Sequence, residues 1–227
     1  VLANVQTGAR LEGDAWVIDG QKVWTSWAQW ADWCFVLCRS DAQAGKHKGL
    51  SYLLVPMRQP GIAVRPILQL TGDSEFSEVF FDGARTDADH IVGRPGEGCK
   101  VALGRHAFER CASTLGQNLS FRNELEHVIA VAKRNGRDRD PVLRQRLADA
   151  WIGLEVMRMN ALRMLSASES PELAREALIY KLYWATWHQN LGKLAMDVLG
   201  DEAAVLEGAG YGLSGLQRLF LITRSDT

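Results

Sequence analysis

The spacing of apolar residues changes character partway along the chain. Up to about residue 92 they come in short runs, punctuated by Gly, Pro and Asp roughly every ten residues, which is the rhythm of strands and turns. Residues 15–18 (AWVI) and 22–26 (KVWTS) flank Asp19-Gly20, a pattern that predicts a hairpin turning at that Asp-Gly pair. Residues 33–38 (WCFVLC) and 49–55 (GLSYLLV) read as buried strands, the second ended by Pro56. Residues 62–67 and 77–81 complete the set. Together they predict an antiparallel β-sandwich or barrel over 1–94.

From Gly98 onward the period is helical. Val101, Ala102, Gly104, Ala107, Phe108, Cys111 and Leu115 follow a spacing of about 3.6 residues. A second helix over about 119–133 ends at Asn135-Gly136, a C-cap pair. Asp140 caps a third helix with Pro141 in its first turn. Leu143, Leu147, Trp151, Leu154, Met157, Ala161 and Leu165 lie along it. Ser170-Pro171 opens a fourth, which ends at Gly200, and a short fifth covers 214–223. Short connections predict an up-down four-helix bundle over 95–227. Strands then helices, segregated in sequence, make the fold class α+β.

Composition narrows the function classes. The formal net charge of −1 gives no electrostatic footprint for nucleic acid. No apolar run approaches the ~20 residues of a membrane span. Cys34 and Cys38 share a strand face but stand ~13 Å apart, too far to bridge. With Cys99 and Cys111 they read as free thiols of a reducing cytoplasm. The five histidines lack ligand spacing relative to the cysteines, so no metal site is predicted. There is no initiator Met, and residues 222–227 stop soon after a helical pattern; both ends are expected to be missing.

Taken alone, the candidate residues have ordinary readings. Trp24-Thr25-Ser26 is a strand with a core indole and two solvated hydroxyls. Glu109 is a surface carboxylate one turn from Arg105, and Arg110 a surface cation. The loop 71–76 is a turn before a strand. His106 and His188 have no evident base or metal partner and read as packing or surface residues. Trp24, Trp27, Trp30 and Trp33 either line a cavity or belong to the core.

Three stretches change those readings. Residues 20–33 (GQKVWTSWAQWADW), 61–98 and 101–113 (VALGRHAFERCAS), in this order, resemble the acyl-CoA dehydrogenase family. The likeness extends to the opening LANVQT and to 181–200, so it covers nearly the whole chain. It implies the middle β-domain and C-terminal helical bundle of a three-part fold, without the family's N-terminal helical domain. The implied activity is FAD-dependent α,β-dehydrogenation of an acyl-CoA thioester to the 2-enoyl-CoA. A carboxylate takes the α-proton while hydride passes to flavin N5.

The resemblance also implies roles. Trp24 lies beside the isoalloxazine ring, with a hydroxyl of Thr25-Ser26 near N5. Glu109, in HAFER, is the base; other members keep theirs in a loop after the last helix. Arg110 either organises that carboxylate or is a surface cation. The loop 71–76 lies near the thioester, and Asp82 with Arg85 forms a structural turn with its ion pair. The implied partners are an electron-transfer flavoprotein as acceptor and further subunits in a homo- or hetero-oligomer.

Departures from the family pattern matter as well. The second bundle helix lacks the usual Arg followed by Phe-Gly, and Asp197-Val198-Leu199-Gly200-Asp201 stands where Gln and a Gly-Gly pair are common. The adenosine half of FAD is therefore expected to be held differently or weakly. These variations resemble an actinobacterial subgroup with heteromeric members that degrade steroid side chains. Two alternatives stay open: a non-catalytic partner subunit, and a flavin monooxygenase or oxidase on the same fold.

Overall fold

A computed structural model describes residues 4–112, 114–166, 175–205 and 214–226, with backbone alone at 106–112, 114–115 and 175–178. Two compact units emerge, Val1–His106 and Ala107–Thr227.

The first unit is built on six strands: β1 (Gly8–Glu12), β2 (Ala15–Ser26), β3 (Trp33–Arg39), β4 (Leu50–Pro56), β5 (Ile62–Ile67) and β6 (Phe76–Asp87). They form one sheet in the order β4-β3-β1-β2-β6-β5. The pairings are antiparallel except between β1 and β3, which meet in parallel at Gly8 and Arg39. The sheet is therefore mixed and single, rather than two facing sheets. It curls so that the segment after β6 covers the β4 edge: the Leu54 amide donates to the His90 carbonyl (2.8 Å) and the Val92 amide to that of Tyr52 (2.8 Å). Covering an edge in this way satisfies its backbone groups and blocks pairing with other chains. Trp16, Ile18, Val36, Cys38, Leu53, Val55, Val79 and Phe81 fill the enclosed core.

Two local expectations were wrong. Asp19-Gly20 is not a hairpin turn; it lies inside β2. The turn is Gly13-Asp14, between β1 and β2, where Gly13 adopts φ 65°. Strand β1 itself carries no strong alternation and escapes a reading from pattern. Around Asp19 the β2–β6 register shifts, with Ile18 opposite Ala84 but Gly20 opposite Phe81, so β6 carries one extra residue. Gly83, at φ 65°, sits in this bulge. Buried positions on β6 accordingly switch from odd (Ser77, Val79, Phe81) to even (Ala84, Thr86). The Asp19 carboxylate accepts the bulge's Gly83 amide at 2.7 Å. That bond, then the Arg10 guanidinium, holds its carboxyl below the usual range. Arg85 forms no turn with Asp82; both lie within β6, and Arg85 pairs with Glu12 at 3.6 Å.

The second unit follows the helical pattern, except that its second helix starts at Thr114 rather than about 119, so Leu115 belongs to it and not to the first. Its helices are α2 (Thr114–Arg134), α3 (Pro141–Ser166), α4 (Arg175–Leu199) and α5 (Gly215–Ile222), and α1 (Gly98–Ala112) leads into it. One expected cap falls where the sequence puts it, and another was not read from the sequence. Asp140 accepts from the amides of Val142 (2.8 Å) and Leu143 (3.1 Å). Ser214 and Gln217 form a reciprocal capping box on α5. The predicted opening of α4 at Ser170-Pro171 lies outside the described residues. Leu125 and Val128 of α2, Leu154 and Met157 of α3, Leu191 of α4 and Leu216 of α5 share one core.

Candidate functional site

The first candidate is the end of β2. Between Lys22 and Thr25 the register with β6 shifts again: Lys22 lies opposite Val79, but Thr25 opposite Ser77. The extra residue is now on β2, and it forces the chain through a left-handed conformation at Trp24, φ 61°. A bulky residue there costs on the order of 1–3 kcal/mol. The side chain does not recover that cost by burial, because the Trp24 indole is 63% exposed. Its aromatic neighbour is Phe76, edge-on at 6.0 Å. Thr25 beside it is half-buried and Ser26 exposed.

The chain past β2 is equally constrained. Trp27 repeats the left-handed backbone at φ 59°, and its amide donates to the Glu75 carbonyl (2.8 Å). Gln29 ties this turn to the 71–76 loop. Its Nε2 donates to the Ser74 carbonyl (2.5 Å), and its Oε1 accepts from the Ser77 hydroxyl (2.9 Å). The Trp27 and Trp30 rings lie 5.2 Å apart, both exposed, and Trp33 packs edge-on to His90. None of the four clustered tryptophans is a buried core residue. The segment offers an exposed indole, followed in the chain by two hydroxyl residues, next to a turn pinned by hydrogen bonds. An indole and hydroxyls are the kinds of group that would hold a planar, polar-edged ring such as isoalloxazine.

Glu109 and Arg110 lie on the described backbone of α1, while their side chains fall outside the described residues, as do those of His106 and Cys111. Cys34, Cys38 and Cys99 are free thiols. Burial pushes Cys34 up to about 11 and Cys38 up to about 12, so both stay protonated and unreactive. Among the described residues one group has the proximity for a metal ion. Asp87, Asp89 and His90 bring ligand atoms within 4.8 Å of one another, both carboxylates being exposed. The His90 Nδ1 is already shared with the Thr86 hydroxyl at 2.8 Å.

The residue that sequence reasoning missed is His188. It is buried on α4 and clamped between two carboxylates, Glu124 at Nε2 and Asp226 at Nδ1, each at 2.7 Å. Burial by itself lowers its affinity for a proton. The bonds to Asp226 and Glu124 outweigh that and carry it up to about 9. Its partners lie 64 and 38 residues away, so no local spacing announces them.

Comparison with known proteins falls on the same two regions. Residues 1–84 match the family described as acyl-CoA dehydrogenase, middle domain, and residues 96–227 match acyl-CoA dehydrogenase, C-terminal domain. Acyl-CoA dehydrogenase IpdE1 of Mycobacterium tuberculosis is 49% identical over all of this chain, which spans 58% of that relative's length. Among solved structures, the Tcur3481-Tcur3483 steroid ACAD superposes with a TM-score of 0.87 at 30% identity, covering 99% of this chain and 59% of the other. The ChsE4-ChsE5 complex from Mycobacterium tuberculosis superposes at 0.80 with 26% identity, covering 99% and 58%.

Proposed function

The chain belongs to the acyl-CoA dehydrogenase family, and on that premise we propose that it carries the flavin-facing strand and the catalytic base of an enzyme that desaturates an acyl-CoA between its α and β carbons. The observation that carries this reading is the bulge at Trp24, which spends backbone strain to hold an indole outward beside two hydroxyls. Strain kept without a packing return is characteristic of functional sites. FAD, when bound, supplies the acceptor for the two electrons that leave with the β-hydrogen. Trp24 excludes water from one side of that ring, and a hydroxyl of Thr25 or Ser26 holds its polar edge. Glu109 removes the α-proton of the thioester, and Arg110 orients that carboxylate. Removal of so weak an acid needs the thioester carbonyl polarised by hydrogen-bond donors.

The substrate class we propose is a steroid-derived acyl-CoA, supported by the steroid ACAD neighbour. The acceptor is an electron-transfer flavoprotein and the location cytoplasmic; among the described residues no helix is long and apolar enough to cross a membrane. A second reading, a partner subunit in a heteromer, is favoured by the two-protein ChsE4-ChsE5 neighbour. The departures at 197–201 and the missing Phe-Gly fit either reading.

The test is anaerobic reduction of the full-length protein with a panel of acyl-CoAs. The flavin band near ~450 nm bleaches with substrate, and Glu109→Gln slows bleaching by about 10²–10⁴-fold with FAD still bound. Normal bleaching in that variant removes Glu109 from the role of base. A protein that stays colourless with added FAD favours the partner subunit.

A further inference from the structure

The group the proposed chemistry does not use is the buried cluster at the end of the bundle. His188 lies on α4, Glu124 on α2, and Asp226 just beyond the 3-10 turn Thr223–Ser225 that follows α5. The imidazole face packs on Phe121, ring centroids 4.3 Å apart, and its side chain is 7% exposed. Both ring nitrogens are committed to carboxylates. Only the doubly protonated ring can donate in both directions at once. A neutral ring keeps one donor, and its other nitrogen then faces a carboxylate oxygen lone pair to lone pair. One of the two contacts must open.

The geometry also says which one. Glu124 is anchored mid-helix in α2, whereas Asp226 stands on a short turn. That turn is held to α4 by a compact set of contacts that depend on its staying seated. Lys181 Nζ donates to the Asp226 carbonyl (2.5 Å), and Arg224 Nη2 donates to the Gln189 carbonyl (2.9 Å). At Gly192 of α4 the approach is so close that a Cβ would lie 2.6 Å from the Thr223 hydroxyl oxygen. Among the described residues the charged groups acting on the imidazole are thus Glu124 from α2 and Asp226 from beyond the turn, while Lys181 and Arg224 hold backbone carbonyls of the turn and of α4. One cationic ring between two carboxylates leaves one net negative charge, and loss of the ring proton leaves two facing each other across a neutral ring.

We propose that Glu124, His188 and Asp226 form an electrostatic latch that seats the turn after α5 on α4, closed while the imidazole carries both protons and released at the Asp226 side when it loses one. The latch makes seating of the turn after α5 a property that pH controls.

Hydrogen exchange of the intact protein, read by mass spectrometry and corrected for the intrinsic pH dependence of exchange, tests the latch. In the natural protein, amides of 223–226 are protected at about pH 7 and lose about tenfold protection by about pH 10, with a midpoint near 9. Amides around Leu154 of α3 stay protected throughout. In His188→Gln the turn exchanges at pH 7 as fast as the natural protein does at pH 10, and its pH profile is flat. Asp226→Asn keeps the imidazole and its Glu124 partner, moves the midpoint down, and decides the matter if His188→Gln fails to fold. The latch is overturned by a flat profile in the natural protein, by an unchanged midpoint in Asp226→Asn, or by loss of protection in α3 alongside the turn.

Discussion

Tryptophan is put to opposite uses at two places in the molecule, the cores of both units and the chain at and just past the end of β2. In the bundle, Trp187 is buried, stacks near Phe121 at 5.4 Å, and donates its indole N–H to the Ala150 carbonyl (2.9 Å). In the β-unit, Trp16 is buried in the same manner with its N–H on the Ala88 carbonyl (3.3 Å). Trp24, Trp27, Trp30 and Trp33 are more than half exposed, and two of them sit on left-handed backbone. Buried indoles with satisfied N–H groups stabilise a fold. Exposed indoles on strained backbone contribute little to it and are retained for what they contact. The contrast separates tryptophans that build the cores from those that leave the proposed flavin side open to a ligand.

The strongest way to break that contrast is truncation. Trp187→Ala or Trp16→Ala is expected to cost about 3–5 kcal/mol of unfolding free energy, from lost burial plus the lost indole hydrogen bond. Denaturant melts of the two variants check it; a cost below ~1 kcal/mol in both would place the cores elsewhere.

His188 sharpens the comparison from the polar side, since it belongs to the fold although it looks like catalytic machinery. Its folded proton affinity is raised from the ordinary 6.5 to about 9. Its contribution is therefore fully present below about pH 6.5 and lost as pH rises through about 9. The loss amounts to at most about 3 kcal/mol. The difference in stability between the natural protein and His188→Gln should shrink across that window, with catalytic turnover at neutral pH little affected.

The smallest expected effect on stability is the most informative one for function. Trp24→Gly relieves the left-handed strain while losing only the edge contact with Phe76, so stability should change by less than ~1 kcal/mol in either direction. Flavin affinity of the full-length protein should fall by at least about tenfold, measured by titration of the apoprotein. A large loss of stability would return Trp24 to the core.

The sequence by itself determined the helices, because their signals are local. Asp140-Pro141 and Asn135-Gly136 satisfy the orphan groups of helix ends within a few residues and operate as expected, and Ser214 with Gln217 does the same for α5 although no cap was read there. It also determined the family, the β-to-α order and the Trp24-Thr25-Ser26 motif. The strands were legible as apolar runs, but their pairing was not. A bulge is a relation between two strands, so Asp19-Gly20 resembled a turn until β6 was laid against β2 with its own extra residue at Gly83. Tertiary structure alone decided that Trp24 is strained and outward, since that follows from the second register shift. It alone brought Glu124 and Asp226 to His188, because carboxylates so distant in sequence become partners only when helix packing sets them on either side of one buried ring.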